Sequence, residues 1–182
     1  MLGKQLAPAS VRPVRRRTAT APVAFSRVSE ILDGYAQRGM FRGFAAFPRT
    51  ETQQTFNLLW HYNRQYPFVL DVVGKTVAFR GLLPGIPAGS PMAADLRSFL
   101  KPFSTAQVPA HRRVDANAGR LKTRIKDDAL TLLIEVADTQ YAYCTRKLVH
   151  LAHEIFMVFL WDGPYFEYRV ENLGLDPDAS WP

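Results

Sequence analysis

The sequence predicts an α+β domain: an antiparallel sheet of about five strands with helices packed on one face, in the order α-βββ-α-ββ-α. Three observations carry this. Apolar residues recur at helical spacing in three stretches with capping residues at their ends. Between them lie stretches that alternate with period two. These come in neighbouring runs separated by a few turn residues, the pattern of antiparallel hairpins and not of βαβ crossovers.

The first helix is expected to open at Ser26 as N-cap, with Val28, Ile31, Leu32 and Tyr35 at helical spacing and Gly39 just past its end. Met40 to Phe47 is a weaker apolar run, a candidate first strand closed by Pro48. Then Phe56, Leu58, Trp60 and Tyr62 fall on one face of an alternating stretch, and Thr55, Asn57, Leu59 and His61 on the other. After Pro67, Phe68 to Val73 and Thr76 to Leu83 read as two strands joined by Gly74-Lys75, where glycine in the first central position favours a type II′ turn.

Ser90 and Pro91 open the second helix, because proline at the first helical position forfeits no hydrogen bond. Met92, Leu96, Phe99, Leu100 and Phe103 form its apolar stripe, and Ala110 to Ala118 reads as a loop. Arg120 to Lys126 and Leu130 to Val136 form a second hairpin across Asp127-Asp128. Asp138 is the expected cap of the last long helix. Its buried face holds Tyr141, Leu148, Ala152, Ile155, Phe156 and Phe159, its wet face Arg146, Lys147, His150 and Glu154, and Gly163-Pro164 ends it. Tyr165 to Leu173 is read as a short helix between Pro164 and Gly174.

This element order resembles the type III secretion chaperone-like fold over roughly Ser26 to Leu175. The resemblance rests on the order of elements and on no motif. It implies a protein that binds extended segments of other proteins, and a homodimer.

Charge divides the chain unevenly. The net charge is +7, from 23 Lys and Arg against 16 Asp and Glu. Residues 1–25 hold Lys4, Arg12, Arg15, Arg16 and Arg17 and no acid, leaving 18 bases against 16 acids in the remainder. The expected organisation is a disordered basic arm over 1–25, one α+β domain over 26–175 and a short tail over 176–182. Three roles fit such an arm: a solvated start, an organellar transit peptide in a eukaryote, or a basic arm for nucleic acid or an acidic partner. The body is nearly neutral, which argues against a nucleic-acid surface spread over the whole domain.

The longest apolar run, Ile155 to Trp161, has seven residues, against about 20 for a membrane-spanning helix. No apolar stretch near Met1 suggests a secretory signal, and the single cysteine, Cys144, excludes an internal disulfide. The expected compartment is the cytoplasm, or an organelle if the arm is a transit peptide.

Chemical motifs are scarce. His150, His153 and Glu154 project from neighbouring turns of one helix, and a pair of them could share a metal with His61 or His111 as a third ligand, but the spacing matches no His-Glu-x-x-His signature. Their simpler reading is a polar helix face. Cys144 beside Tyr141 and Tyr143 reads as a small apolar filler. The glycines around Gly81 to Ser90 lack the lysine and spacing of a phosphate loop, although the N-terminus of the Ser90 helix could face an anion.

Arg120, Lys122, Arg124 and Lys126 are the most informative polar residues. Period two places all four on one strand face, opposite Leu121 and Ile125, and Arg112 and Arg113 precede them. Such a face is either solvated and protective against edge pairing, or a basic ladder for phosphates or an acidic peptide. No aromatic residue alternates with these cations to stack bases.

The expected function is therefore a non-enzymatic protein-binding module of adaptor or chaperone type, without cofactor, engaging a protein segment or partner protein. Two alternatives stand beside it. One is a nucleic-acid-associated or polyanion-binding protein using the arm and the basic strand. The other is a metal-dependent enzyme centred on His150, His153 and Glu154.

Overall fold

The computed structural model describes residues 20–178. Helix α1 spans Thr20–Gln37 and starts six residues before Ser26, which lies inside it. The reason is that the apolar stripe begins earlier: Ala24 and Phe25 are buried in register with Val28, Ile31, Leu32 and Tyr35. Pro22 sits in the first turn, where it breaks no helical bond. Residues 20–25, assigned to the arm, thus belong to α1. Residues 1–19 of the arm and 179–182 of the tail lie outside the described residues. Gly39 takes the left-handed conformation expected past the helix end (φ 76°), and the Met40 amide closes back on the Tyr35 carbonyl.

The sheet has six strands in the order β1-β2-β3-β4-β6-β5, every neighbouring pair antiparallel. Strand β1 is Gly43–Ala46, β2 Gln53–Leu59, β3 Gln65–Asp71, β4 Thr76–Leu83, β5 Gly119–Lys126 and β6 Ala129–Val136. The weak run after Met40 supplies the sixth strand. Phe56, Leu58 and Trp60 are buried as the alternation requires. Tyr62 departs from it, because the chain turns at His61–Asn63 with Tyr62 and Asn63 both at φ 54°.

Pro67 lies inside β3 instead of preceding it. It pairs with Asn57 on one side, while β4 joins the other side only from Phe68 onward, so the missing N–H costs no ladder bond to β4.

The β3–β4 turn also differs from expectation. Four residues, Val72 to Lys75, separate the strands, and the left-handed residue is Lys75 (φ 50°), not Gly74. The Asp71 carboxylate organises this longer turn by accepting the Gly74 amide at 2.6 Å. The Asp127-Asp128 turn has two residues, both left-handed (φ 51° and 52°), the geometry of a type I′ hairpin.

Helix α2, Pro91–Leu100, follows the expected cap: Ser90 Oγ accepts the Ala93 amide at 3.2 Å. Helix α3, Tyr141–Glu154, does not use Asp138. Gln140 precedes its first turn with no side-chain cap, and Asp138 is left-handed (φ 48°) in the approach loop. The helix continues as a π-helical stretch, Ile155–Leu160, and helix α4 is Phe166–Leu173, ended by left-handed Gly174. Among the described residues no helix is long and apolar enough to cross a membrane.

The core lies between the helices and one face of the sheet. Phe56, Leu58, Phe68, Leu70, Val77, Phe79, Leu132 and Ile134 point into it, against Val28 and Leu32 of α1, Leu96 of α2 and Leu148 and Ala152 of α3. Val69, Ala78 and Leu133 are also nearly inaccessible but lie on the opposite face, paired across β3, β4 and β6 and outside that core cluster. The helix-free face therefore has a narrow apolar row flanked by longer polar side chains.

Candidate protein-binding edge

The outermost strand β5 is where charge and topology meet. Its even-numbered residues share the helix-free face. Arg120, Arg124 and Lys126 are exposed and Lys122 is half-buried. Leu121 and Ile125 pack against the core from the other side. Gly119 begins the strand where it passes beneath α3. A Cβ there would lie 2.7 Å from Ile134 Cγ2 and 2.9 Å from Cys144 Sγ.

The two-residue hairpin also sets which backbone groups are satisfied. Lys126 and Ala129 flank the turn and form its closing hydrogen-bonded pair. Ala137 N donating to Ala118 O at 2.9 Å continues the same parity at the far end. The even residues of β5 therefore bond to β6, and the amides and carbonyls of Leu121, Thr123 and Ile125 point away from the sheet. Among the described residues no other strand lies on that side, so β5 offers an open edge eight residues long.

The four cations are not equivalent. Lys122 Nζ donates to Glu135 Oε1 at 2.5 Å, and that bond holds the Glu135 carboxyl below its ordinary range, with Arg120 and Arg124 adding to the effect. Lys126 lies 4.0 Å from Asp127 with both side chains almost fully exposed, a contact worth little in water. Arg120 and Arg124 have no ion-pair partner among the described residues.

The rest of the predicted patch disperses. Arg112 donates from Nε and Nη2 to both carboxylate oxygens of Glu154 on α3, at 3.0 and 2.8 Å, and lies over the Phe103 ring. Arg113 accepts the Tyr143 hydroxyl at its carbonyl. Arg112 is thus bound on the helix side of the sheet, opposite the β5 cations.

The three residues weighed as metal ligands also diverge. His150 Nε2 lies 3.5 Å from the Tyr35 hydroxyl, Glu154 is held by Arg112, and His153 Nδ1 meets His61 Nε2 at 3.1 Å. His61 does come to this helix, but among the described residues no three His, Cys, Asp or Glu side chains converge. Burial among Trp60 and Phe156, then the neighbouring His153, pushes His61 down to about 3. His111 is exposed, and its carbonyl accepts Lys147 Nζ. Cys144 is buried, its thiol pushed up to about 12 by that burial, with Sγ donating to the Ala118 carbonyl.

A cavity of about 870 Å³ lies between the start of α1, the β3–β4 turn and the approach to α3, lined by Phe25, Val72 and Tyr141 among others. Arg49 and Lys75 are offset there by Glu51 and Asp138, so charge selects no ligand class.

Comparison with protein-family models, with curated proteins and with solved structures finds no match for this chain.

Two residues escaped the sequence reading. Glu135 was legible: a two-residue turn at Asp127-Asp128 puts it directly opposite Arg120 and diagonal to Lys122. Arg169 was not. It is buried between Trp161 and Phe166, and only the three-residue spacing from Phe166 hinted at a shared face.

Proposed function

We propose that this protein is a non-enzymatic binding module that takes up an extended, acidic segment of a partner protein along β5. The observation that carries the reading is the open edge. Unpaired backbone groups of Leu121, Thr123 and Ile125 alternate with Arg120, Arg124 and Lys126 on the helix-free face. A strand added there gains main-chain hydrogen bonds from the edge and selectivity for carboxylates from the cations. The first block has four strands where the secretion-chaperone order has three, so that resemblance adds nothing to this reading.

The test uses two labelled peptides of alternating valine and charged residues, one with glutamate and one with lysine. The glutamate peptide should bind and slow hydrogen exchange at the Leu121, Thr123 and Ile125 amides. The lysine peptide should not. Absence of protection at those three amides would remove the edge from the mechanism. Binding of a DNA or RNA oligonucleotide with a steep salt dependence, lost on Arg120→Glu/Arg124→Glu, would instead favour nucleic-acid association.

A further inference from the structure

We infer that the corner between α3 and α4 is a second docking surface, shaped for a partner segment that carries a carboxylate beside apolar side chains. From Ile155 to Leu160 the last long helix widens into π geometry, which turns the following residues away from the α-helical register. Ile155, Phe156, Phe159 and Leu160 stay buried, while Met157 is 44% exposed and Trp161 45% exposed. The chain reverses at Gly163-Pro164 and returns as α4, whose first residue, Phe166, is 50% exposed. One corner of the molecule thus gathers several of its large exposed apolar side chains.

Arg169 lies at the centre of this corner. It is only 7% exposed, with its guanidinium 4.9 Å from the Trp161 ring centre and 5.5 Å from that of Phe166. Nε and Nη1 are sealed from solvent and meet no hydrogen-bond acceptor among the described residues. No carboxylate among the described residues pairs with it, although Asp162 and Glu167 are exposed nearby in the chain. Buried guanidinium groups are ordinarily paired, because aromatic faces replace only part of the hydration they lose.

A buried cation between the Trp161 and Phe166 rings, with no carboxylate partner among the described residues and with Phe166 half exposed, has the composition of an interface centre. Its missing complement is a carboxylate, and the surrounding apolar surface asks for aliphatic or aromatic neighbours on the same segment. This surface is separate from the β5 edge and does not depend on it.

A phage-displayed random peptide library selected on the full chain, with binders to a Phe166→Ser variant removed, tests the inference. Phe166 is at the surface, so that variant should retain the wild-type circular dichroism and melting profile. The enriched peptides should carry Asp or Glu next to Leu, Ile, Phe or Met. Synthetic copies should lose at least about tenfold in affinity when the acid becomes its amide, and similarly on Arg169→Met. They should bind the Arg120→Glu/Arg124→Glu protein unchanged. The inference is overturned if nothing is enriched over the Phe166→Ser control or if the enriched peptides lack acids. It is also overturned if the acid-to-amide change is neutral, a measurement that needs no protein variant, or if binding is lost only with the β5 reversal.

Discussion

The two edges of the sheet solve one problem differently. Strand β1 is four residues long, carries no charge, and lies beside an aromatic group in which Phe41 meets Trp60 edge-on and His61 lies tilted against Trp60 and Phe156. Strand β5 is twice as long and bears four cations, three of them exposed. A short edge offers few unpaired groups to a stray strand. A long one needs charge to select what pairs with it. The same sheet therefore has one edge held by packing and another displayed to solvent, and the two should respond to different perturbations.

The largest expected effect comes from Gly119. Gly119→Val forces a side chain into Ile134, the Glu135 carbonyl and Cys144, and should destabilise the fold by about 2–3 kcal/mol in denaturant titration. At the other edge, Gly43→Ala meets only Leu59, whose Cβ is nearest at 3.2 Å and need yield by only a few tenths of an ångström, and should cost about 1 kcal/mol or less. Equal losses at the two glycines would break the contrast.

Acid should distinguish the edges next. His61 titrates lower in the folded protein, at about 3, than its ordinary 6.5, so below 6.5 the unfolded chain takes up a proton that the folded one refuses. Stability should therefore be complete above about pH 6.5 and fall as pH drops toward 3, with a limiting slope of about 1.4 kcal/mol per pH unit. Chemical denaturation at several pH values should show this slope shrinking in His61→Asn. An unchanged slope would mean that the aromatic packing does not exclude the charged ring.

At β5 the titrating group is Glu135, held low chiefly by its hydrogen bond from Lys122. A depressed carboxyl contributes stability above its unfolded pKa and loses it as pH falls through the lower folded value. The β5 contribution should thus appear only below pH 4.5. It should be smaller than that of His61 because the pair is well exposed, and Lys122→Met should remove most of it, leaving the part due to Arg120 and Arg124. A loss already visible near neutral pH in that variant would assign Lys122 a packing role instead.

A small effect on stability should come from Arg120→Glu/Arg124→Glu, about 1 kcal/mol or less in thermal or denaturant melts, since neither arginine forms an ion pair among the described residues and the cost is mainly that of a glutamate facing Glu135. The same double reversal should greatly weaken binding of the glutamate peptide, measured by fluorescence anisotropy. Unchanged affinity would leave β5 as a solvated edge.

The sequence alone determined the features governed by neighbours a few positions apart. Period two separated Arg120 to Lys126 from Leu121 and Ile125, and helical spacing selected the buried face of α3. Ser90-Pro91 marked a helix start, and Gly39 and Gly174 marked helix ends. Local signals misled where a distant partner outweighed them. Ser26 has the chemistry of a cap, but burial of Ala24 and Phe25 extends the helix past it. Gly74 suits a tight turn, but the Asp71 carboxylate builds a longer one. The candidate sites depended still more on contacts remote in sequence. His153 meets His61 across 92 positions and Glu154 takes Arg112 across 42, so the helix residues weighed as one metal site face separate partners. Arg169 is enclosed only because a π-helical stretch and a Gly-Pro corner fold Trp161 and Phe166 around it. Local spacing encodes which face a side chain occupies, but the tertiary fold decides what stands opposite it, because that depends on where other segments of the chain are carried.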